Sequence, residues 1–233
     1  MEDVILIVAL LFFAMHVLTF AEPTETKRRV GVIVVDIQGD FTAAKNGSLA
    51  VEGTDQSFID KVENATSSLM RKGYLIFATQ DWHPSDHISF YTNHSGKKAF
   101  EVIPISGRTQ VLWPPHCIQN TENAKVLLDN RLFQAIVKKG KDKRFDSYSG
   151  FKDDGGANTE MDQLLKRHGI RELIIYGIAT DYCVKATAID AAAAGYKVTL
   201  IEGLCKGVDP ETTAGALQEM KEKGIKVEKE LRG

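Results

Sequence analysis

Arg29-Val30-Gly31-Val32-Ile33-Val34-Val35-Asp36-Ile37 is the stretch on which the fold turns. Its β-branched residues run on without alternating with polar ones, so an extended chain here must bury both of its faces. A strand of that kind belongs inside a parallel sheet covered by helices. Runs of the same character recur at Tyr74 to Thr79, Ala135 to Lys138, Glu172 to Gly177 and Lys197 to Glu202, and Ile225 to Glu228 adds a last one.

Helical patterns fill the spaces between. Phe58 to Lys72 places Phe58, Ile59, Val62, Ala65 and Leu69 near helical spacing and stops before Gly73; Thr159 to His168 repeats this with Met161, Leu164 and Leu165 before Gly169. Asp181 to Ala194 is alanine-rich, with Thr180 or Asp181 available as N-cap and Gly195 as stop, and Thr213 to Lys223 ends before Gly224. The alternation predicts an α/β domain: an open, mainly parallel sheet with helices on both faces. Only Asp81 to about Asn120 breaks the rhythm, yet it holds four prolines, four of the six histidines and both tryptophans. A long irregular segment inside a compact domain is more often functional than idle.

The 233 residues suit one such domain, over residues 29–233. With 29 Lys+Arg against 31 Asp+Glu the formal charge is -2, which excludes a basic surface for nucleic acid and favours a small-molecule partner. Residues 4 to 21 (VILIVALLFFAMHVLTFA) form an apolar run that ends in Thr19-Phe20-Ala21 and precedes the polar stretch Glu22 to Arg29. This predicts a signal peptide over 1–21, a linker over 22–28 and a secreted product. The acidic Glu2 and Asp3 and the length of the run make an uncleaved membrane anchor the alternative. In a secretory lumen Asn46, Asn64 and Asn93, each in an Asn-X-Ser/Thr triplet, would accept N-glycans. Three cysteines, Cys117, Cys183 and Cys205, are too few for a disulfide framework. A homo-oligomer is compatible with all of this.

Open α/β sheets bind ligands beyond the carboxyl ends of their strands. Asp36 ends the first run, Asp81 and His83 follow the second, Lys139 ends the third and Cys183 lies past the fourth. Cys183 sits where a strand turns into a helix, so the positive end of the helix dipole favours its thiolate. With Lys139 as a neighbouring cation and Asp36 taking the thiol proton, the set makes an activated nucleophile. The bland readings are a small buried cysteine and two strand-end surface charges. Asp81 and His83 stand two apart, which on an extended backbone points both side chains the same way, toward a shared metal. His87, His94 and His116 are candidates for a third ligand, and so few ligands leave open positions, a catalytic pattern.

Six segments then occur in one order: Val35-Asp36-Ile37-Gln38-Gly39-Asp40-Phe41; Gln80-Asp81-Trp82-His83-Pro84 running to His87-Ile88-Ser89-Phe90; Trp113-Pro114-Pro115-His116-Cys117-Ile118-Gln119; Lys138-Lys139-Gly140; Asp146-Ser147-Tyr148-Ser149-Gly150-Phe151; and Gly177-Ile178-Ala179-Thr180-Asp181-Tyr182-Cys183-Val184. Together, over about residues 29–229, they resemble the nicotinamidases, within the isochorismatase-like cysteine hydrolases. The resemblance implies a Rossmann-like three-layer fold. It also implies hydrolysis of nicotinamide to nicotinate and ammonia through a cysteine thioester, a step of NAD metabolism and pyridine nucleotide biosynthesis. It makes Asp36 the base, Lys139 the cationic partner and Cys183 the nucleophile. It makes Asp81, His83 and His116 the ligands of one divalent metal that orients the pyridine ring. Zinc is the default there, with iron and manganese also suited to imidazole and carboxylate. The backbone N–H groups of Ala179 and Cys183 form the implied oxyanion hole, beside a cis peptide at Ile178-Ala179, and Phe41, Trp113 and Tyr148 the implied ring contacts.

His87 matches a histidine that only some members use as a ligand; His94 has no counterpart and reads as a surface loop residue. Members acting on isochorismate or carbamoyl compounds lack the D-x-H and W-P-x-H-C pair that this chain carries. Lys141 to Arg144 reads as a solvated loop beside the site. The rival expectations are an amidase for other aromatic amides such as pyrazinamide, and a secreted nicotinamide- or metal-binding protein that turns nothing over.

Overall fold

The computed structural model describes residues 29–105 and 107–231. The predicted signal peptide and linker lie outside the described residues. Strand β1 (Arg29–Val35) buries Val32 to Val35 completely, as its unbroken apolar run requires. It pairs in parallel with β2 (Leu75–Asp81) on one side and β6 (Ile170–Gly177) on the other. With β5 (Ala135–Lys139), β7 (Lys197–Ile201) and β8 (Lys226–Glu228) the sheet has six strands in the order β5-β2-β1-β6-β7-β8, all parallel.

From β1 the chain moves one way across the sheet, through α1 (Gln56–Arg71), to β2. From β6 it moves the other way, through α3 (Lys185–Ala193), β7 and α4 (Pro210–Glu222), to β8. Right-handed crossovers in opposite directions place α1 on one face and α3 and α4 on the other. Packing sets α1 and α2 on opposite faces in the same way: Thr66 of α1 is hydrogen-bonded to the Tyr176 hydroxyl of β6 (2.8 Å), whereas Phe77 of β2 meets His168, just after α2 (Met161–Arg167), at 5.8 Å between rings. Helix α1 buries Phe58, Ile59, Val62 and Leu69, and Asp55 caps it by accepting from the Phe58 N–H (3.1 Å). The order reverses at β1, so the crevice beyond β1 and β6 is the expected ligand site.

Three local expectations are corrected. The helix predicted from Asp181 opens with a π-helical turn, Thr180–Val184, and neither Thr180 nor Asp181 caps it. The Asp181 carboxylate instead accepts from the N–H groups of Val208 (3.0 Å) and Asp209 (3.3 Å) and from the Thr212 hydroxyl (2.6 Å), tying this turn to the start of α4. Helix α4 begins at Pro210 rather than Thr213, with Asp209 as cap and proline in the first turn, where its missing N–H costs nothing. Within the irregular region an antiparallel hairpin, β3 (Val102–Ile105) and β4 (Arg108–Val111), stands outside the main sheet. No helix among the described residues is long and apolar enough to cross a membrane.

Candidate active site

The carboxyl ends of four neighbouring strands bring the predicted residues together. Asp36, just after β1, is fully buried at φ 48°, an uncommon backbone conformation for a residue with a Cβ. Its N–H donates to the Thr79 hydroxyl (3.2 Å), which in turn donates to Asp36 Oδ1 (2.6 Å). Lys139, last in β5 and 1% exposed, turns Nζ into the centre: 2.9 Å from Asp36 Oδ2, 2.5 Å from Asp81 Oδ1, 2.8 Å from the Ser147 carbonyl and 3.4 Å from Cys183 Sγ. Burial works against its charge, but the Asp36 and Asp81 carboxylates outweigh that and hold its pKa well above the usual lysine value. A buried ammonium is stable only with such partners.

Cys183 lies in the π-helical turn, 7% exposed. Burial pushes its thiol well above the ordinary cysteine pKa; Lys139 opposes this, and Asp36 and Asp81 reinforce it. The thiolate expected from the helix terminus is opposed here by desolvation and two nearby carboxylates and favoured by the Lys139 ammonium. Burial likewise raises the Asp36 pKa, against Lys139 and with Asp81 adding to the rise.

Asp81 also belongs to a second cluster. Oδ2 lies 3.4 Å from His83 Nε2 and 3.9 Å from His116 Nε2. His83 Nδ1 is 3.0 Å from the Gly140 carbonyl and His116 Nδ1 is 2.8 Å from the Pro114 carbonyl. A carbonyl only accepts, so both rings carry hydrogen on Nδ1 and turn Nε2 toward the carboxylate, the orientation of a metal ligand. His83 Nε2 is buried without a hydrogen-bond partner. One atom from each of the three residues falls within 4.8 Å of the others. An orphaned buried nitrogen, a second imidazole and a carboxylate fit a divalent cation.

Charge agrees with this fit. Burial raises the Asp81 pKa, yet Lys139 and His83 more than offset it and keep the group ionised well below the usual carboxylate range. Burial, helped by His83, pushes His116 down to about 4, the neutral ligand form. Burial would lower the His83 pKa, but Asp81 overcomes it; the same field favours a cation between them. His87 stacks 4.5 Å from His83 but has both nitrogens engaged, Nδ1 with the Ser89 hydroxyl (2.7 Å) and Nε2 with the Phe145 carbonyl (3.1 Å). His94 bonds the Ile88 carbonyl (2.6 Å) and stays in its loop.

A cavity of about 430 Å³ opens onto both clusters, with Phe41, Trp113, His116, Tyr148, Tyr182 and Cys183 in its wall. All three residues expected to contact the ring line this cavity. Trp113 Nε1 donates to the Tyr148 hydroxyl (3.1 Å), and the Phe41 ring lies 5.5 Å from His116. Ala179 also lines the cavity, and the Ile178-Ala179 peptide is cis. Sequence reading missed Tyr182, edge-on to Trp113 at 5.3 Å, although it stood beside Cys183 in a quoted segment. It missed Phe100, 60% exposed at the rim and 6.0 Å from Trp113, for which the sequence carries no signal. Lys141 to Arg144 is a surface loop, where Arg144 pairs with Asp142 (2.6 Å) and Lys143 with Asp86 (2.7 Å).

Comparison with known proteins agrees with this geometry. The isochorismatase domain profile matches residues 30–229. The nicotinamidase of Escherichia coli (strain K12) is 40% identical over 198 residues, which cover 83% of this chain and 91% of that protein. A yeast nicotinamidase bound to the inhibitor nicotinaldehyde superposes with a TM-score of 0.76 at 34% identity, covering 85% of this chain and 98% of that one. A pyrazinamidase of Pyrococcus horikoshii in complex with zinc does so at 0.71 and 38% identity, covering 86% and 98%. The chain belongs to the isochorismatase-like hydrolases, on their nicotinamidase branch.

Proposed function

We propose that the chain hydrolyses nicotinamide to nicotinate and ammonia, with Asp36, Lys139 and Cys183 as its catalytic residues. The observation that carries this reading is the single buried ammonium of Lys139, within 3.4 Å of the nucleophile candidate and held by the base and by the metal-site carboxylate. That joins a cysteine triad and a metal site on one aromatic-walled cavity.

A divalent metal held by Asp81, His83 and His116 would supply a Lewis acid for a pyridine nitrogen. Zinc is our reading of the ion, supported by the zinc complex of the Pyrococcus relative. Trp113, Tyr148 and Phe41 hold the ring and exclude water, which fixes the carboxamide near Cys183. The thiol proton passes to Asp36 while Lys139 stabilises the forming thiolate; the sulfur then attacks the amide carbon and the carbonyl π electrons move onto oxygen. The oxygen of the tetrahedral adduct takes hydrogen bonds from the N–H groups of Ala179 and Cys183. Asp36 then hands its proton to the departing nitrogen, the C–N bond breaks and ammonia leaves a thioester. The freed carboxylate takes a proton from water, which attacks the thioester; C–S cleavage returns the proton to sulfur and releases nicotinate.

Ammonia release from nicotinamide, compared between the wild type and Cys183→Ala and with or without EDTA, tests this. Activity that Cys183→Ala abolishes and EDTA removes is the expected outcome; none from folded, metal-loaded protein defeats the reading. Pyrazinamide presents the same ring edge and carboxamide and is a second substrate of the same cavity. A purely sequestering protein has no use for Asp36, Lys139 and Cys183. For the N-terminus we keep secretion after cleavage at Ala21, with glycans at Asn46, Asn64 or Asn93. Those three asparagines are exposed, though the Asn93 amide donates to the carbonyls of Ser85 (3.1 Å) and His87 (2.9 Å).

A further inference from the structure

The segment that leaves β1 carries Asp36, Gln38 and Asp40 at alternate positions, all three buried. The proposed chemistry uses only the first. Gln38 Oε1 accepts from the backbone N–H of Asp81 (2.7 Å), while Nε2 donates to the carbonyl of the same residue (2.9 Å) and to that of Ala124 (2.8 Å). A carboxamide that engages both backbone groups of one residue does what a neighbouring strand would do. It does so at the last residue of β2, where the chain leaves the sheet. Nε2 also lies 3.3 Å from Cys117 Sγ.

Asp40 holds the other ligand loop. Its Oδ2 accepts from the Cys117 N–H (2.7 Å), the amide directly after His116, and its Oδ1 lies 3.4 Å from Ser48 N, 3.3 Å from Ser48 Oγ and 3.4 Å from Asn123 Nδ2. Cys117 needs such a hold, since its φ of 45° is a backbone conformation that residues with a Cβ seldom adopt unaided.

We propose that Gln38 and Asp40 are positioning residues for the metal: Gln38 fixes the backbone that aims the Asp81 carboxylate, and Asp40 fixes the backbone that aims the His116 ring. The proposal rests on the metal reading above. Neither side chain ligates. Metal–ligand distances tolerate only about 0.2 Å, so backbone sway in either loop reaches the site as lost affinity. Loss of such outer partners typically weakens binding about 10–100-fold.

The test is zinc affinity of the purified, metal-stripped protein, measured by competition with a chromophoric chelator, beside a thermal melt of each variant. Gln38→Met and Asp40→Ala are expected to bind zinc about tenfold or more weakly. Asp40→Asn, which keeps an oxygen for the Cys117 N–H, should recover most of what Asp40→Ala loses. Thr66→Val serves as control. Its hydroxyl bonds the Val62 carbonyl (2.7 Å) and the Tyr176 hydroxyl (2.8 Å), away from both loops, so it should melt earlier yet bind zinc as the wild type does. Folded Gln38→Met and Asp40→Ala proteins with wild-type affinity overturn the proposal, as does equal weakening by Thr66→Val. If Gln38→Met does not fold, the Asp40 pair decides. A wild type that takes up no zinc defeats the metal reading and this proposal with it, and that failure is visible before any variant is made.

Discussion

In the proposed mechanism Asp36 takes a proton from a thiol whose own pKa is raised. Burial raises the carboxyl pKa, and the Thr79 hydroxyl is one of the contacts that hold the rise back. The active form carries Asp36 ionised, so kcat/KM should fall on the acid side at a pH above the ordinary carboxylate value. Thr79→Val removes a bond to the ionised form, which raises the pKa further and moves that limb to still higher pH, by about one unit if the bond contributes roughly 1.5 kcal/mol. A pH–rate profile checks it; an unmoved or acid-shifted limb goes against Asp36 as the base. Lys139→Met should leave two buried carboxylates without their cation and cost about 3–5 kcal/mol in the metal-free protein. Denaturant melts should show that deficit shrinking as pH falls, because protonation removes the unpaired charge. The members of this charged set were legible in the sequence as strand-end residues, but their burial was not. A strand-end lysine taken alone reads as a surface charge, and only packing makes Lys139 1% exposed and raises the pKa of the nearby thiol.

Elements were legible where a periodic pattern met a stop signal, and less so where side chains decided the backbone. The β-branched runs located every strand of the main sheet, because burial on both faces leaves a contiguous signature. The β3–β4 hairpin escaped notice, being two short strands with Pro104 in the first and little burial. The third metal ligand was left among three histidines by spacing alone. The structure separates them by what the other ring nitrogen does: His83 and His116 donate Nδ1–H to carbonyls and turn Nε2 toward Asp81, whereas His87 is engaged at both ends. The β5 end contributes to this through Gly140. At φ 65° its carbonyl receives His83 Nδ1, and a Cβ there would overlap the His83 ring. Gly140→Ala should therefore displace the imidazole, with zinc affinity and kcat/KM falling together by about tenfold or more. A variant that binds zinc normally would mean that the ring can be seated without this contact.

At the scale of the whole molecule, one parallel sheet explains why residues as far apart in sequence as Asp36 and Cys183 meet. Every strand delivers its carboxyl end to the same edge, and the reversal of order at β1 opens the crevice between them. That is why strand ends named the candidate catalytic set, while the cavity rim, made by loops and by Phe100, stayed out of reach. The residues named in the site lie between Asp36 and Cys183, and the family match runs over 30–229. A chain beginning at Glu22 should then fold and hydrolyse nicotinamide with the kcat and KM of the full-length protein. If the apolar run is a signal peptide, protein recovered from the medium of a secreting host should also start at Glu22 and carry glycan mass removable by an N-glycosidase. An uncleaved N-terminus in membrane-bound protein would make the run an anchor instead. Loss of turnover in the shortened chain would mean that the leader supports the domain, which would require rethinking the molecule from its first strand onward.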